Sequence, residues 1–368
     1  MIVNNQNLGI YIHVPFCVCK CPYCDFYSVV PKNIEIYAKA VCREIEKWGA
    51  VSKNTVDTIY FGGGTPSLLE TETIGLIIKC IYKNFKVSEP EITIEINPAD
   101  YEAMDFEELK KFGVNRVSVG AQSFSEKELK SLGRRHGKND IVMTVKSLKN
   151  AGIKNISLDL MLGIPYQTKE SVKNFVDFCT ENEIKHVSAY LLKIEKGTKF
   201  YINRNNLNLP SDDESAEIYE FAVDYLSKKG YHQYEVSNFS VPNFESKHNL
   251  KYWNLEEYIG IGPSAHSLFG GQRFYYKNSL KDFVECPQTH REGKFEPEIE
   301  YIMLRMRLSE GLNFEKFKKK FGKDIPQKYL NNAEKYVGFG LLISDKNGIR
   351  LTKKGFLLSN FVIGGILG

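Results

Sequence analysis

Short apolar runs recur along the first half of the chain and alternate with longer stretches of helical spacing. The runs occupy 10–14, 56–61, 92–96, 116–119, 156–161 and 186–190. They have strand length and are rich in β-branched and aromatic residues. Between them, 34–48, 70–85, 101–112, 140–151 and 169–181 repeat apolar residues three and four apart, as one face of a helix does. Gly113 and Gly152 stand where two of those helices are expected to end on a left-handed residue. Six strand–helix units in series predict an α/β fold with a parallel sheet. The chain available before the pattern changes predicts a partial (β/α)6 TIM-like barrel rather than a closed ring of eight. After a helical stretch at 212–229, the segment from Tyr231 to about Tyr276 reads as aromatic and irregular. From Glu298 the chain is lysine-rich and helical, and Lys346-Asn347-Gly348 reads as a hairpin turn between two short strands. Helices followed by a hairpin predict a small C-terminal α/β domain resembling a winged helix. The expected division is a barrel over 1–230, an aromatic-rich extension over 231–295 and the C-terminal domain over 296–368.

Composition narrows the class. Of 368 residues, 42% are hydrophobic and 26% charged, enough to bury a large core. The net charge of +4 is spread over scattered lysines and makes no case for nucleic acid. No apolar run reaches the ~18 residues of a membrane-crossing helix. The opening MIVNNQNLGIYIHV lacks the charged start and long apolar stretch of a signal peptide, so the cytoplasm is expected. Eight cysteines are present; Cys17, Cys19, Cys21 and Cys24 crowd together, whereas Cys42, Cys80, Cys179 and Cys286 stand alone. A crowded set in a reducing compartment points to metal rather than disulfides.

Cys17-x3-Cys21-x2-Cys24 follows directly on the first predicted strand. Three thiolates on one loop can ligate three irons of a four-iron cluster and leave the fourth iron open. A structural zinc site would close all four positions, and no second cysteine pair follows at a suitable spacing. Cys19 lies between two of the ligands. Gly62-Gly63-Gly64-Thr65-Pro66 follows the second strand, where glycines let backbone amides approach a ligand. Glu95 alternates with Ile94 and Ile96 and so shares the polar face of its strand with Thr93 and Asn97.

The stretch Tyr11-Ile12-His13-Val14-Pro15-Phe16-Cys17, with Cys21-Pro22-Tyr23-Cys24-Asp25-Phe26, resembles the radical S-adenosylmethionine (SAM) superfamily. Within it, the resemblance narrows to the oxygen-independent coproporphyrinogen III oxidases and their relatives. The resemblance implies a [4Fe-4S] cluster on Cys17, Cys21 and Cys24, and an electron donor to reduce it. It implies SAM contacts at Tyr11, Tyr23, Gly63, Gly64, Thr65, Glu95, Gln122, Arg134 and Asp159, and reductive cleavage of a C–S bond of SAM. Two departures separate this chain from the oxidases. Phe26 stands where they carry a further cysteine, and ten residues precede Tyr11 where they carry a longer segment. The aromatic middle, Tyr234–Phe239 and 248–266, instead resembles the heme-chaperone (HemW-type) branch, whose His-Asn-x-x-Tyr-Trp motif is intact at 248–253. That branch implies heme, with His248 as the candidate ligand and His266 as a second. It also implies a heme-acceptor protein such as a membrane-bound respiratory enzyme. The alternative is an enzyme, a coproporphyrinogen III oxidase that decarboxylates propionate side chains. On the residues alone, a histidine among aromatics is more often a satisfied core residue.

Overall fold

The computed structural model describes residues 7–368. The start of MIVNNQNLGIYIHV, read above as lacking signal-peptide character, lies outside the described residues. The six expected strands are present as β1 (Asn7–Val14), β2 (Thr55–Gly63), β3 (Lys86–Ile96), β4 (Arg116–Gln122), β5 (Asn155–Leu162) and β6 (His186–Leu191). Each pairs in parallel with the next. Parallel neighbours need crossovers. These contain the helices Ile34–Val51, Thr71–Asn84, Phe106–Lys111, Lys138–Asn150 and Lys169–Glu181. The outer face of the sheet is apolar: Ile10, Ile12, Ile59, Phe61, Ile94, Val117, Leu158 and Val187 are fully buried. The alternate residues (Tyr60, Thr93, Glu95, Arg116, Ser118, Ser157, Asp159 and His186) give the other face a polar, titratable character that the site draws on.

The expected helix over 101–112 is divided. A 3-10 turn covers Pro98–Ala103, and the helix proper begins at Phe106. Asp105 causes the break, because its side chain accepts from the Glu108 amide at 2.9 Å and caps a new helix start.

The segment from Tyr231 to Tyr276 is not irregular. It contributes β7 (His232–Gln233), β8 (Asn238–Ser240), β9 (Tyr258–Ile261), β10 (His266–Phe269) and β11 (Gln272–Tyr276), and β12 (Thr289–Arg291) follows. All join one 12-stranded sheet in the order β12-β11-β10-β9-β1-β2-β3-β4-β5-β6-β8-β7. β9 runs parallel to β1 and makes a seventh parallel strand. The strands from β7 to β11 are only two to five residues long, too short for alternation to stand out among aromatics.

At the C-terminal end, β13 (Leu312–Asn313), β14 (Leu342–Asp345) and β15 (Gly348–Leu351) form a separate three-stranded sheet. Asp345 pairs with Gly348, so the expected turn is the two residues Lys346 and Asn347. The helices Phe314–Phe321 and Gln327–Gly338 precede the hairpin, in the order a winged helix requires. No helix among the described residues is long and apolar enough to cross a membrane.

Candidate functional site

The ends of β1 to β6 open on a cavity of about 650 Å³, within the usual size of a small-molecule site. It lies at the C-terminal ends of the parallel strands, where α/β barrels build their chemistry. Cys17, Cys21 and Cys24 line one wall, on the loop that leaves β1. Two backbone bonds staple the base of that loop, Cys17 N to Val29 O at 3.0 Å and Val29 N to Pro15 O at 2.7 Å. All three thiols are free. Burial pushes the Cys24 thiol up, and the neighbouring Cys21 and Cys17 add to it. Among the described residues, no three His, Cys, Asp or Glu side chains stand at the spacing of a single-ion site. Ligands to three different irons of a cluster are spread more widely than ligands to one ion.

The glycine segment runs beside this loop. The Gly64 amide donates to Val14 O and the Thr65 amide to Phe16 O, each at 2.7 Å. The Thr65 hydroxyl lies 3.4 Å from the Cys17 sulfur. Gly63 has φ of 109°, and a Cβ there would meet the His13 ring at 2.6 Å, so only glycine fits. Its amide donates to Glu95 Oε2 at 3.3 Å, and the Tyr60 hydroxyl donates to Oε1 at 2.8 Å. Burial pushes the Glu95 carboxyl up to about 7, with Asp159 adding and Tyr60 opposing. Asp159 is pushed up to about 6, again chiefly by burial, against hydrogen bonds from Ser188 and Ser118.

Gln122 ends β4 with a left-handed φ of 68°, and its Oε1 accepts from the Tyr190 hydroxyl at 2.6 Å. Strain of this kind persists where the surroundings hold a side chain in place. Arg134 reaches back across the rim. It donates to Gly120 O at 2.7 Å and to the Tyr23 hydroxyl at 3.3 Å, and lies 3.6 Å from the Cys21 sulfur. Its buried Nε has no partner among the described residues. Free thiols, a glycine-lined backbone, two carboxylates and an uncommitted guanidinium donor are the chemistry that a thiolate-bound cluster and a zwitterionic nucleoside ligand require.

Three of the residues picked from the sequence are not on the cavity wall. Tyr11 sits behind it, with its hydroxyl 3.1 Å from His13 Nδ1 and its ring beside Tyr60. His248, the candidate heme ligand, lies in the core behind the cavity. Its ring is buried, with Nδ1 2.8 Å from the Thr58 hydroxyl and Nε2 2.8 Å from the Tyr252 hydroxyl. Burial, with Lys251 and Arg116 nearby, pushes it down to about 3, so it is neutral. Both nitrogens are engaged, and neither is free to ligate iron in this structure. The second candidate, His266, is exposed on β10, two strands in from the edge of the sheet, and lies outside the cavity.

Other cavity residues escaped the sequence reading. Ser237, Asn238, Asn249, Lys193 and Glu195 also line the cavity. Asn249 follows His248 in the His-Asn-x-x-Tyr-Trp motif, and that motif is the sequence signal for it.

Comparison with known proteins agrees with this arrangement. The Radical SAM superfamily profile matches residues 11–179, and the HemN C-terminal domain profile matches 299–358. Heme chaperone HemW of Lactococcus lactis subsp. lactis (strain IL1403) is 36% identical over 366 residues, covering 96% of this chain and 95% of its own. Heme chaperone HemW of Bacillus subtilis (strain 168) is 33% identical over 373 residues, covering 97% and 98%. Among solved structures, coproporphyrinogen III oxidase (HemN) from Escherichia coli superposes with a TM-score of 0.83 over 98% of this chain and 90% of that one. At 21% identity, that likeness establishes the fold alone.

Proposed function

From the premise that the chain belongs to the HemW family of the radical SAM superfamily, we propose that it is a heme chaperone. It holds one [4Fe-4S] cluster, SAM and heme, and delivers the heme to an acceptor such as a membrane-bound respiratory cytochrome. The observation that carries this reading is the identity to curated heme chaperones along nearly the whole chain.

The cavity residues divide the work. Cys17, Cys21 and Cys24 ligate three irons. Thr65, beside Cys17, and the Gly63–Gly64 backbone receive the amino acid end of SAM. Glu95, already bonded by Tyr60 and Gly63 N, accepts from its ribose hydroxyls. Arg134, Gln122 and Asp159 hold the remaining polar groups. Tyr23, on the rim beside Arg134, shields the thiolate wall from water, and Tyr11 supports Glu95 from behind by packing against Tyr60. When bound, the cluster and SAM together supply one-electron reductive chemistry, for which an external electron donor is needed. The protein contributes orientation, desolvation and fixed dipoles. Phe26, exposed at the lip of the cavity, supplies no thiol at the position where the oxidases carry one.

Heme transfer tests the proposal. The anaerobically reconstituted chain is loaded with hemin, freed of excess and mixed with an apo-cytochrome. The expected result is a Soret band that moves to the acceptor with the acceptor's spectrum. Retention of all heme on the chain, or no heme uptake at all, overturns the reading.

A further inference from the structure

A line of hydrogen bonds runs through the barrel interior, away from the cavity. Ser157 lies opposite His186 across the β5–β6 pair, and Asp159 lies opposite Ser188. His186 and Ser157 are fully buried. The His186 Nε2 stands 2.8 Å from the Tyr234 hydroxyl, and its Nδ1 stands 2.7 Å from Ser157 Oγ. Ser157 Oγ lies 3.5 Å from Ser188 Oγ, and Ser188 donates to Asp159. At one end of the line, Asp159 and Ser188 line the cavity. At the other, Tyr234, in the turn from β7 to β8, is only half-buried.

One backbone amide sets the direction of the line. The Ser246 amide donates to the Tyr234 hydroxyl oxygen at 3.1 Å. The Tyr234 O–H is left to donate to His186 Nε2, which places the ring proton on Nδ1. Nδ1–H then donates to Ser157, Ser157 to Ser188, and Ser188 to the Asp159 carboxylate. Burial, helped by Arg116, pushes His186 well below the ordinary histidine value, so the ring stays neutral. Burial also holds Asp159 up to about 6, which brings both of its charge states within reach. Arg116 and Arg134 favour its charged form, and Glu95 faces it as a second carboxyl.

We infer that Tyr234, His186, Ser157 and Ser188 form a proton relay that lets Asp159 take up or release a proton while a ligand closes the cavity. The role rests on the reading of the cavity as the SAM site, because a filled cavity cuts Asp159 off from water on its own side. For uptake, Ser188 passes its hydroxyl proton to the carboxylate and takes one from Ser157, which takes the Nδ1 proton of His186. His186 Nε2 takes the Tyr234 proton, and solvent restores it. Each O–H or N–H bond broken is matched by one formed. Asp159 gains one proton, and the imidazole ends as the other neutral tautomer. Release runs the same bonds in reverse. A charged ligand changes the field at Asp159, and the relay lets the carboxyl compensate.

Two measurements on the full reconstituted chain test the relay. Nitrogen-15 NMR of the histidine-labelled chain, assigned with His186→Asn, should show His186 as the Nδ1–H tautomer. The Nε2–H tautomer overturns the relay. The SAM-loaded chain is then moved into heavy water at a pH just under the Asp159 value. Deuterium entry is followed on the carboxyl C=O stretch that Asp159→Asn lacks. Tyr234→Phe and His186→Asn should each slow that entry about tenfold or more, with SAM affinity unchanged. Tyr234→Phe keeps the ring packing and His186→Asn keeps a donor for Ser157, so a purely structural role leaves the rate alone. Equal rates in wild type and both variants overturn the relay and leave the SAM reading intact. Failure of wild type to bind SAM, read by equilibrium dialysis, overturns both.

Discussion

The loop from Cys17 to Cys24 and the helix from Lys247 to Trp253 are built in opposite ways. On the loop, backbone bonds fix the base and the three sulfurs are left facing an open cavity. On the helix, the His248 and Lys251 side chains are consumed by the core. Thr58 and Tyr252 take both nitrogens of His248, Asp57 and Glu256 take the Lys251 ammonium, and Glu91 accepts from the Lys247 and His248 amides. A site residue needs polar atoms that the fold does not already use. By that criterion the loop is a site and His248 is a support, and only Asn249 of the helix reaches the cavity. His248 also lies 5.2 Å from the ring of Tyr60, whose hydroxyl bonds Glu95. The helix therefore serves the cavity from beneath.

The largest test of this contrast is on the loop. Cys24→Ala should lose the cluster entirely, measured as bound iron, acid-labile sulfide and the broad visible absorption after reconstitution. Full retention would remove Cys24 from the ligand set. On the helix, His248→Ala should cost about 2–4 kcal/mol of stability, because it leaves a cavity and two buried hydroxyls without a partner. Chemical denaturation reads this directly. Loss of heme binding in a variant that keeps its full stability would reverse the assignment and return His248 to the site.

A smaller effect separates the carboxylates from the histidine through pH. Glu95 is held up at about 7, chiefly by burial, against an ordinary value of 4.5. Between those values the folded chain keeps a proton that the unfolded chain has released. This group's contribution to stability therefore falls as pH rises through the window. Glu95→Gln removes that loss, so the melting temperature of the variant relative to the parent should climb from about pH 4.5 to about pH 7. His248 has the opposite sign. Its lowered value favours the fold at higher pH, and its contribution is lost as pH falls below the ordinary histidine value of 6.5. A flat difference curve for Glu95→Gln would show that its carboxyl is solvated rather than enclosed. The smallest expected effect is at Cys19. It is exposed on the same loop, and Cys19→Ser should leave iron content unchanged. A proportional loss of iron would make it a ligand.

These regions also differ in how far the sequence disclosed them. The cysteine loop, the glycine segment and Glu95 were legible because each is local: spacing within one loop or alternation within one strand fixes the geometry. Gln122, Arg134 and Asp159 came from resemblance, and the fold brings them to the same rim. The enclosure of His248 was not legible, since its partner Thr58 is 190 positions away in the chain. β9 was missed because four residues among aromatics carry no clear period, although its pairing with β1 sets the far wall of the barrel. Ser237 and Asn238 lie at the start of β8, a three-residue strand whose antiparallel pairing with β6 could not be read from composition.

The proposed heme chaperone would carry heme on a radical SAM fold rather than make its precursor. The most direct measurement is an anaerobic incubation of the reconstituted chain with coproporphyrinogen III, SAM and a strong reductant, with tetrapyrroles separated by chromatography. Coproporphyrinogen should be recovered unchanged while the same preparation binds hemin. Formation of protoporphyrinogen would contradict it and make the chain an oxidase.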